Sequence, residues 1–229
     1  MLSKRNRGFT LIELMVALVL GLVVVGGVMA VFMNTYQANA QNIKAVRLTE
    51  EMRAVMSLIA RDIRRAGTRE LAWRLTLGTP NPFSTATAAG WVVSNMTGAP
   101  ANSCVRLAYS VTNDNGTAAS NRYGYRLDAA GNGVIDTYNH NAGQWSCNGT
   151  GWQPVSDPKI AWIRSLVFTQ STEPGMSGVA VRTVIVNLRA GTNTRSTTPS
   201  AITAADCAKV DVVCRQLVEK IRIRNDAVL

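Results

Sequence analysis

The stretch "RGFTLIELMVALVLGLVVVGGVMAVF", residues 7–32, decides how the first part of this chain folds. As a helix, residues 9–33 rise about 37 Å at 1.5 Å per residue, which is enough to cross the hydrocarbon layer of a bilayer. The run is too long for the apolar region of a secretory signal peptide, and the helical pattern continues past it without a break. We therefore predict a retained membrane-spanning helix over residues 9–33.

Three basic residues, Lys4, Arg5 and Arg7, precede the apolar run, with no acidic residue near them. The positive-inside tendency keeps such an end in the cytoplasm. Everything after about residue 34 is then expected to face the periplasm, with the chain crossing the inner membrane once. The chain has 24 basic and 14 acidic residues and a net charge of +10, so a basic excess remains without these three.

One carboxylate, Glu13, lies near the start of the apolar run. An ionised side chain costs roughly 2.5–3.5 kcal/mol at the centre of a membrane helix and less near an end, and it usually marks a function and a partner. No basic residue occurs between Phe9 and Lys44, so this helix offers no cation to Glu13. A free amine produced by cutting the chain after Gly8 would supply one. The alternative is a polar residue tolerated near the membrane boundary.

The segment "KRNRGFTLIELMVAL", residues 4–18, resembles the class III leader of type IV pilins and pseudopilins. It has a basic leader, residues 1–8, that ends in Gly8, then Phe9, then Glu13 at the fifth position of the mature chain. The resemblance implies that a prepilin peptidase cuts between Gly8 and Phe9 and methylates the new Phe9 amine. It also implies that Glu13 pairs with the N-terminal amine of a neighbouring subunit during assembly, an attraction that is strong in a medium of low dielectric.

The helical pattern continues through residues 34–66 as an amphipathic segment. Its apolar residues recur at steps of three and four and form one stripe: Met52, Val55, Met56, Ile59, Ile63 and Ala66. Gly67 is the expected stop, and no proline interrupts residues 9–79. One helix over residues 9–66 would be about 87 Å long. Major pilins often carry a proline in this helix; here Gly21, Gly26 and Gly27 indicate either local melting or close helix packing.

Residues 67–229 are rich in Gly, Pro, Ser, Thr and Asn and are predicted to form a globular β-rich head. Short β-rich runs read as strands: "CVRLAYSVT", "RYGYRLD", "GVIDTY", "IAWIRSLVFTQ", "VAVRTVIVNLR" and "EKIRIRN". In the last run Ile221 and Ile223 alternate with charged residues, as in a strand with one wet face. We therefore predict an α+β fold of the pilin type, in which a long N-terminal α-helix packs on an antiparallel β-sheet.

The four cysteines, Cys104, Cys147, Cys207 and Cys214, all follow the apolar segment and lack the paired CxxC spacing of zinc sites. Two disulfides in an oxidising compartment are the preferred interpretation, and buried thiols are the alternative. Four cysteines allow three connectivities. Pairing Cys104 with Cys147 and Cys207 with Cys214 closes the shorter loops, but the sequence leaves the choice open.

Four segments together resemble PilW-type minor pilins and, less closely, the J-type minor pseudopilin of type II secretion: "ARDIRRAG", "WIRSLVFT", "AVRTVIVNLRAG" and "EKIRIRN". The resemblance implies a low-abundance structural subunit that primes pilus assembly, joins the tip complex and helps display an adhesin, and so serves adhesion and twitching motility. The implied partners are other minor pilins, the major pilin, prepilin peptidase and the inner-membrane assembly platform. The assembled protein would lie on the surface of a Gram-negative bacterium.

A partial calcium motif occurs in "DAAGNGVID", residues 128–136. Asp128, Asn132 and Asp136 match ligand positions of an EF-hand loop, whereas Ala130 stands where an oxygen ligand is needed and Asn139 where a bidentate carboxylate is needed. The competing interpretation is a hairpin tip in which Gly131, Asn132 and Gly133 supply positive φ angles. We predict no metal or cofactor, and keep this loop as a calcium candidate.

Neither catalysis nor nucleic-acid binding is expected. The single histidine, His140, lies in a polar loop without a nearby free cysteine, and no phosphate-binding glycine motif occurs. A DNA-binding uptake pilin is the third hypothesis, because phosphate contacts depend on Lys and Arg and a basic cluster follows the amphipathic helix: Arg61, Arg64, Arg65, Arg69 and Arg74. No interleaved aromatic motif accompanies this cluster. Trp91, Trp145 and Trp152 are either core residues or contact sites, and the core is the preferred interpretation.

Overall fold

The structure, a computed structural model, describes residues 8–68, 91–110, 122–128, 130–138, 145–174, 180–196, 198 and 200–223. The chain divides into two compact units, Met1–Ile43 and Lys44–Leu229. Within the described ranges it contains one long helix and eight strands, and the strands form two antiparallel sheets. The predicted α+β class with an antiparallel head is therefore confirmed, and the head contains two sheets instead of one.

Helix α1 spans Leu11–Arg65, 55 residues, without a break at Gly21, Gly26 or Gly27. It ends where the sequence predicted, because Gly67 adopts a left-handed conformation with φ of 79°. The Gly67 N–H donates to the Ala108 carbonyl oxygen at 3.0 Å, so the end of the helix is attached to the strand beside it. Two arginines in the last turn suit the negative end of the helix dipole.

The two parts of α1 differ in exposure. In the first unit, residues 8–39 are all exposed. This part is long and apolar enough, by length and composition, to cross a membrane. In the second unit the whole predicted apolar stripe is buried, and Leu48 extends it. Asp62 departs from the prediction, since a charged residue expected off the stripe is only 4% exposed.

The first sheet has five strands in the order of the chain: β1 (Trp91–Ser94), β2 (Cys104–Ala108), β3 (Arg122–Leu127), β4 (Ile135–Tyr138) and β5 (Trp152–Pro154). The sequence did not predict β1 and β5, which have only four and three residues. The second sheet has the order β6 (Trp162–Pro174), β7 (Ala180–Asn193) and β8 (Val212–Arg222). All neighbouring strands are antiparallel.

One core joins α1 to both sheets within the second unit. The helix stripe contacts Val105, Leu107 and Tyr125 of the first sheet in a cluster that also contains Leu166, Phe168, Val186, Leu188 and Ile221 of the second. Full burial of each such aliphatic or aromatic side chain contributes about 1.5–3 kcal/mol. Ile221 and Ile223 are buried whereas Arg222 is exposed, so the predicted wet-faced strand is confirmed. β8 begins earlier than predicted because β7 pairs with it as far as Val212.

The turn between β3 and β4 uses glycine for a steric reason. Gly131 and Gly133 have φ of 74° and 65°, while Asn132 does not have the positive φ that the sequence suggested. A Cβ at Gly133 would also overlap the Trp162 indole, which packs directly on the turn. The turn therefore brings the first sheet into contact with the start of the second.

Two disulfides staple the head. Cys104 on β2 bonds to Cys147, 43 positions away, and Cys207 bonds to Cys214 on β8, 7 positions away. This is the pairing that closes the shorter loops. Cys104, Cys147 and Met96 form a second small cluster on the other face of the five-stranded sheet, with Trp152 packed against it.

Candidate functional site

The start of α1 is closed by reciprocal hydrogen bonds between Thr10 and Glu13. The Thr10 N–H and hydroxyl donate to Glu13 Oε2 at 3.0 and 2.9 Å, and the Glu13 N–H donates to Thr10 Oγ1 at 3.4 Å. Thr10 is the residue before the first helical position, so the pair forms a capping box. Its sequence signature, Ser or Thr three residues before Glu, is present in "TLIE" and could have predicted it.

The capping box provides the Glu13 carboxylate with a hydrogen-bond partner on its own helix. The sequence offered this carboxylate no partner on its own helix, whereas the structure gives it two hydrogen bonds from Thr10. Hydrogen bonding leaves the negative charge in place, and the positive end of the helix dipole is favourable to it. No cation of the described residues forms a salt bridge with Glu13. Lys4, Arg5 and Arg7 lie outside the described residues.

The residues just before the helix are open. Phe9 is 89% exposed, and a Cβ built at Gly8 would meet no atom within 4 Å. Both residues precede the first helical residue, Leu11, so their peptide is not held in the helix ladder. A protease would find this peptide accessible without unfolding any element.

The exposed apolar surface of the first unit is too large for a solvated monomer. Phe9, Phe32, and nearly every Leu, Ile, Val and Met between residues 11 and 33 are more than half exposed. Contiguous apolar patches beyond a few hundred Å² mark contacts with a membrane or with other proteins. The uninterrupted helix provides a continuous surface for such contacts, with small residues at Gly21, Gly26, Gly27 and Ala30.

The second half of α1 is anchored to the head through Asp62. Its carboxylate accepts hydrogen bonds from the Tyr125 hydroxyl at 2.5 Å and from Arg61 Nε at 3.2 Å. Burial, and then the charge of Asp62, raise the pKa of the Tyr125 phenol well above its usual range. The same two causes raise the pKa of Tyr109, which stacks on Tyr123 with ring centroids 4.2 Å apart. No local pattern in the sequence indicated this buried cluster.

The predicted basic cluster at the helix end is partly neutralised. Arg61 is bonded to Asp62, and Arg64 Nη2 donates to Glu219 Oε1 at 2.7 Å. Arg69 and Arg74 lie outside the described residues. Two of the three described arginines of the cluster are thus engaged with carboxylates, which weakens the argument for a phosphate-binding surface there.

The two aspartates of the calcium candidate make other interactions in the structure. Asp128 accepts hydrogen bonds from the Ala130 N–H and from Asn132 Nδ2, which hold the turn. Asp136 lies on β4 and accepts from Arg126 Nε at 3.0 Å. Burial raises the pKa of Asp136, and Arg126 opposes that shift. Within the described residues no three His, Cys, Asp or Glu side chains converge as a metal site. Asn139 and His140 lie outside the described residues.

Two protein-family models match this chain. The model of a family described as prepilin peptidase-dependent protein B matches residues 41–208, and that of the prokaryotic N-terminal methylation motif matches residues 3–29. Among solved structures, the type IV-like pilin TTHA1219 from Thermus thermophilus is similar at 14% identity, with a TM-score of 0.40. The match covers 79% of this chain and 98% of that one. No curated protein matches the sequence.

Proposed function

Because this chain belongs to the prepilin peptidase-dependent protein B family and is a type IV pilin-like protein, we propose that it is a minor type IV pilin. In this role it primes pilus assembly and takes a place in the tip complex with other minor pilins and a tip adhesin, as PilW-type subunits do. The proposal rests chiefly on one observation: a methylation motif at residues 3–29 leads directly into a long, exposed and apolar helix. A folded head follows that helix.

The proposed maturation uses the open peptide before the helix. Prepilin peptidase removes residues 1–8 by cutting between Gly8 and Phe9, and the new Phe9 amine is methylated. Before assembly, residues 9–33 hold the protein in the inner membrane with the head in the periplasm. Residues 34–66 continue the helix and form part of the head. Residues 67–229 form the rest of the head.

The proposed assembly step uses the charge of Glu13. Removal of the leader creates a cationic amine at Phe9, and a neighbouring subunit presents its Glu13 carboxylate to that amine in the apolar filament core. Opposite charges attract strongly where water is excluded, and one left alone there is costly. Before the partner arrives, the Thr10 hydrogen bonds hold the carboxylate on the helix end.

The test separates the charge of Glu13 from its part in the capping box. Glutamine also serves in a capping box, so Glu13→Gln keeps the cap and removes the charge. Thr10→Ala removes the cap and keeps the charge. We expect Glu13→Gln to lower incorporation into sheared filaments at least tenfold, by about 1.4 kcal/mol or more, and Thr10→Ala to leave it near wild type. Immunoblots of sheared pili and of membranes measure both.

Two results would contradict the proposal. Equal loss of incorporation in Thr10→Ala and Glu13→Gln would assign the effect to the helix cap. Mass spectrometry that finds an intact leader, or an unmethylated Phe9 in the native product, would remove the maturation step, and Gly8→Arg serves as the uncleaved control. Recovery of the chain in a secretion complex but not in pili would favour the minor-pseudopilin alternative.

A further inference from the structure

The face of the five-stranded sheet that points away from the main core carries a ladder of arginine and tryptophan side chains. Arg126 on β3 lies with its Cζ 4.7 Å from the ring centroid of Trp152. The same guanidinium pairs with Asp136 and donates through Nη1 to the Cys147 carbonyl oxygen at 2.7 Å. Arg126 therefore fastens the segment before β5 to the sheet.

Two further arginines share the second tryptophan. Arg106 on β2 and Arg122 on β3 place their Cζ atoms 5.0 and 5.2 Å from the ring centroid of Trp145. Arg106 Nη1 donates to the Trp145 carbonyl oxygen at 2.6 Å. The Nε atoms of both arginines are buried without a hydrogen-bond partner. These three residues, Arg106, Arg122 and Trp145, are called the Arg–Trp pair site below.

The charge of the Arg–Trp pair site is not balanced by the described residues. Arg126 has Asp136, whereas no described carboxylate forms a salt bridge with Arg106 or Arg122. Burial and the neighbouring charge of Arg122 lower the pKa of Arg106, so its cationic form is held at a cost. Both arginines and Trp145 are half-buried, so the site keeps contact with solvent. Two guanidiniums beside one indole present N–H donors that match an oxyanion.

We propose that the Arg–Trp pair site is a docking point for a carboxylate of a partner protein. An aspartate or glutamate side chain would accept hydrogen bonds from the guanidinium N–H groups of this site. The site lies on the head and does not depend on which filament the chain joins.

The small number of free cations favours a protein over a nucleic acid. Interfaces with duplex DNA commonly neutralise about 6–10 phosphates along a continuous track. Here the ladder has three arginines, and Asp136 neutralises one of them, so the site balances about one or two anionic groups. The face of Trp145 is also taken by guanidiniums, which leaves less of it for stacking on a base.

The test measures binding of two labelled probes to the full chain purified in detergent. The probes are a fluorescein-labelled hexaglutamate peptide and a labelled single-stranded oligothymidylate of six nucleotides, followed by fluorescence anisotropy at low and physiological salt. We expect the peptide to bind wild type, and Arg122→Gln to weaken binding about tenfold. Arg122→Lys keeps the charge but loses the planar arrangement of guanidinium N–H donors, and we expect its peptide affinity to be intermediate. Arg189→Gln is the matched control, because it removes one exposed charge from the other sheet.

The outcomes divide cleanly. Selective loss in Arg122→Gln, with Arg189→Gln near wild type, supports the docking point. Equal loss in both variants shows a general effect of net charge and overturns it, as does absence of peptide binding to wild type. Stronger binding of the oligonucleotide with the same dependence on Arg122 would assign the site to nucleic acid instead. If Arg122→Gln lowers the melting temperature, the comparison of Arg122→Lys with Arg189→Gln decides.

Discussion

Asp62 shows how one polar residue fixes the attachment of the helix. It lies among the apolar residues of α1 and is 4% exposed, yet its carboxylate is met by Tyr125 and Arg61. Removing one member of a buried charged pair is costly, since the remaining charge is left without a partner. The helix can therefore pack on the sheet only in the register that brings Asp62 to Tyr125.

The tyrosines around Asp62 make stability sensitive to alkaline pH. An unfolded tyrosine titrates near 10.0, whereas the pKa of Tyr125 is raised in the folded chain. The unfolded chain therefore loses the Tyr125 proton first, and each such proton lowers the free energy of unfolding by about 1.4 kcal/mol per pH unit above 10. We expect stability to be full below about pH 10 and to fall as pH rises further. Urea unfolding at pH 8 and above pH 10 measures this.

Tyr125→Phe tests that assignment. Loss of the hydrogen bond to Asp62 should lower the free energy of unfolding at pH 8 by about 1.5–3 kcal/mol. The decline above pH 10 should also become shallower, because one titrating group is gone. Tyr36→Phe is the control, since Tyr36 is 65% exposed on the helix. An alkaline decline in Tyr125→Phe as steep as in wild type would contradict the assignment.

The strands differ in how many neighbouring strands and other contacts hold them in the sheet. β7 lies between β6 and β8 and pairs with both along most of its length. β5 has three residues and, among the described strands, pairs with β4 alone, so its segment depends on other contacts. Those contacts are Cys147, Arg126 and Trp152, which join it to the outer face of the sheet.

The two disulfides should contribute unequally. In the chain-entropy model, closing a loop of 43 positions stabilises the fold by about 4 kcal/mol, and closing one of 7 positions by about 2.4 kcal/mol. We expect Cys104→Ala with Cys147→Ala to lower the free energy of unfolding more than Cys207→Ala with Cys214→Ala. Urea unfolding of the two double variants gives the comparison. A larger loss from the Cys207–Cys214 variant would show that local contacts outweigh loop closure.

The whole molecule separates its two environments along the chain. Every buried residue among the described ones lies at Leu48 or beyond, in the unit Lys44–Leu229. The exposed apolar residues concentrate before residue 34. The part that folds in water and the part that requires lipid or neighbouring subunits are thus different segments of one polypeptide.

Removal of residues 1–33 should leave the head folded. None of those residues that are described contributes a buried side chain, so the core is retained in full. We expect the truncated chain to be water-soluble without detergent and to unfold in one cooperative transition at the temperature seen for the full chain in detergent. Circular dichroism and analytical ultracentrifugation check this. Loss of cooperative unfolding would show that the first unit supports the second.

The sequence alone determined the elements whose signals are local. The apolar run, the periodic stripe and Gly67 predicted α1 to within two residues of its observed ends, because helix formation depends on neighbours three and four positions away. The β3–β4 hairpin and the alternation at the end of β8 were likewise predicted from local patterns. The N-terminal methylation motif was also predicted, since it is a short contiguous stretch.

Only the tertiary structure decided the contacts between distant residues. Asp62 meets Tyr125 across 63 positions, and Arg106 meets Trp145 across 39, yet nothing in either local pattern marks the partner. The division of the head into two sheets has the same origin, because it depends on which strands pair along their edges. Side chains far apart in sequence meet only when the chain has packed, and periodicity carries no information about that choice.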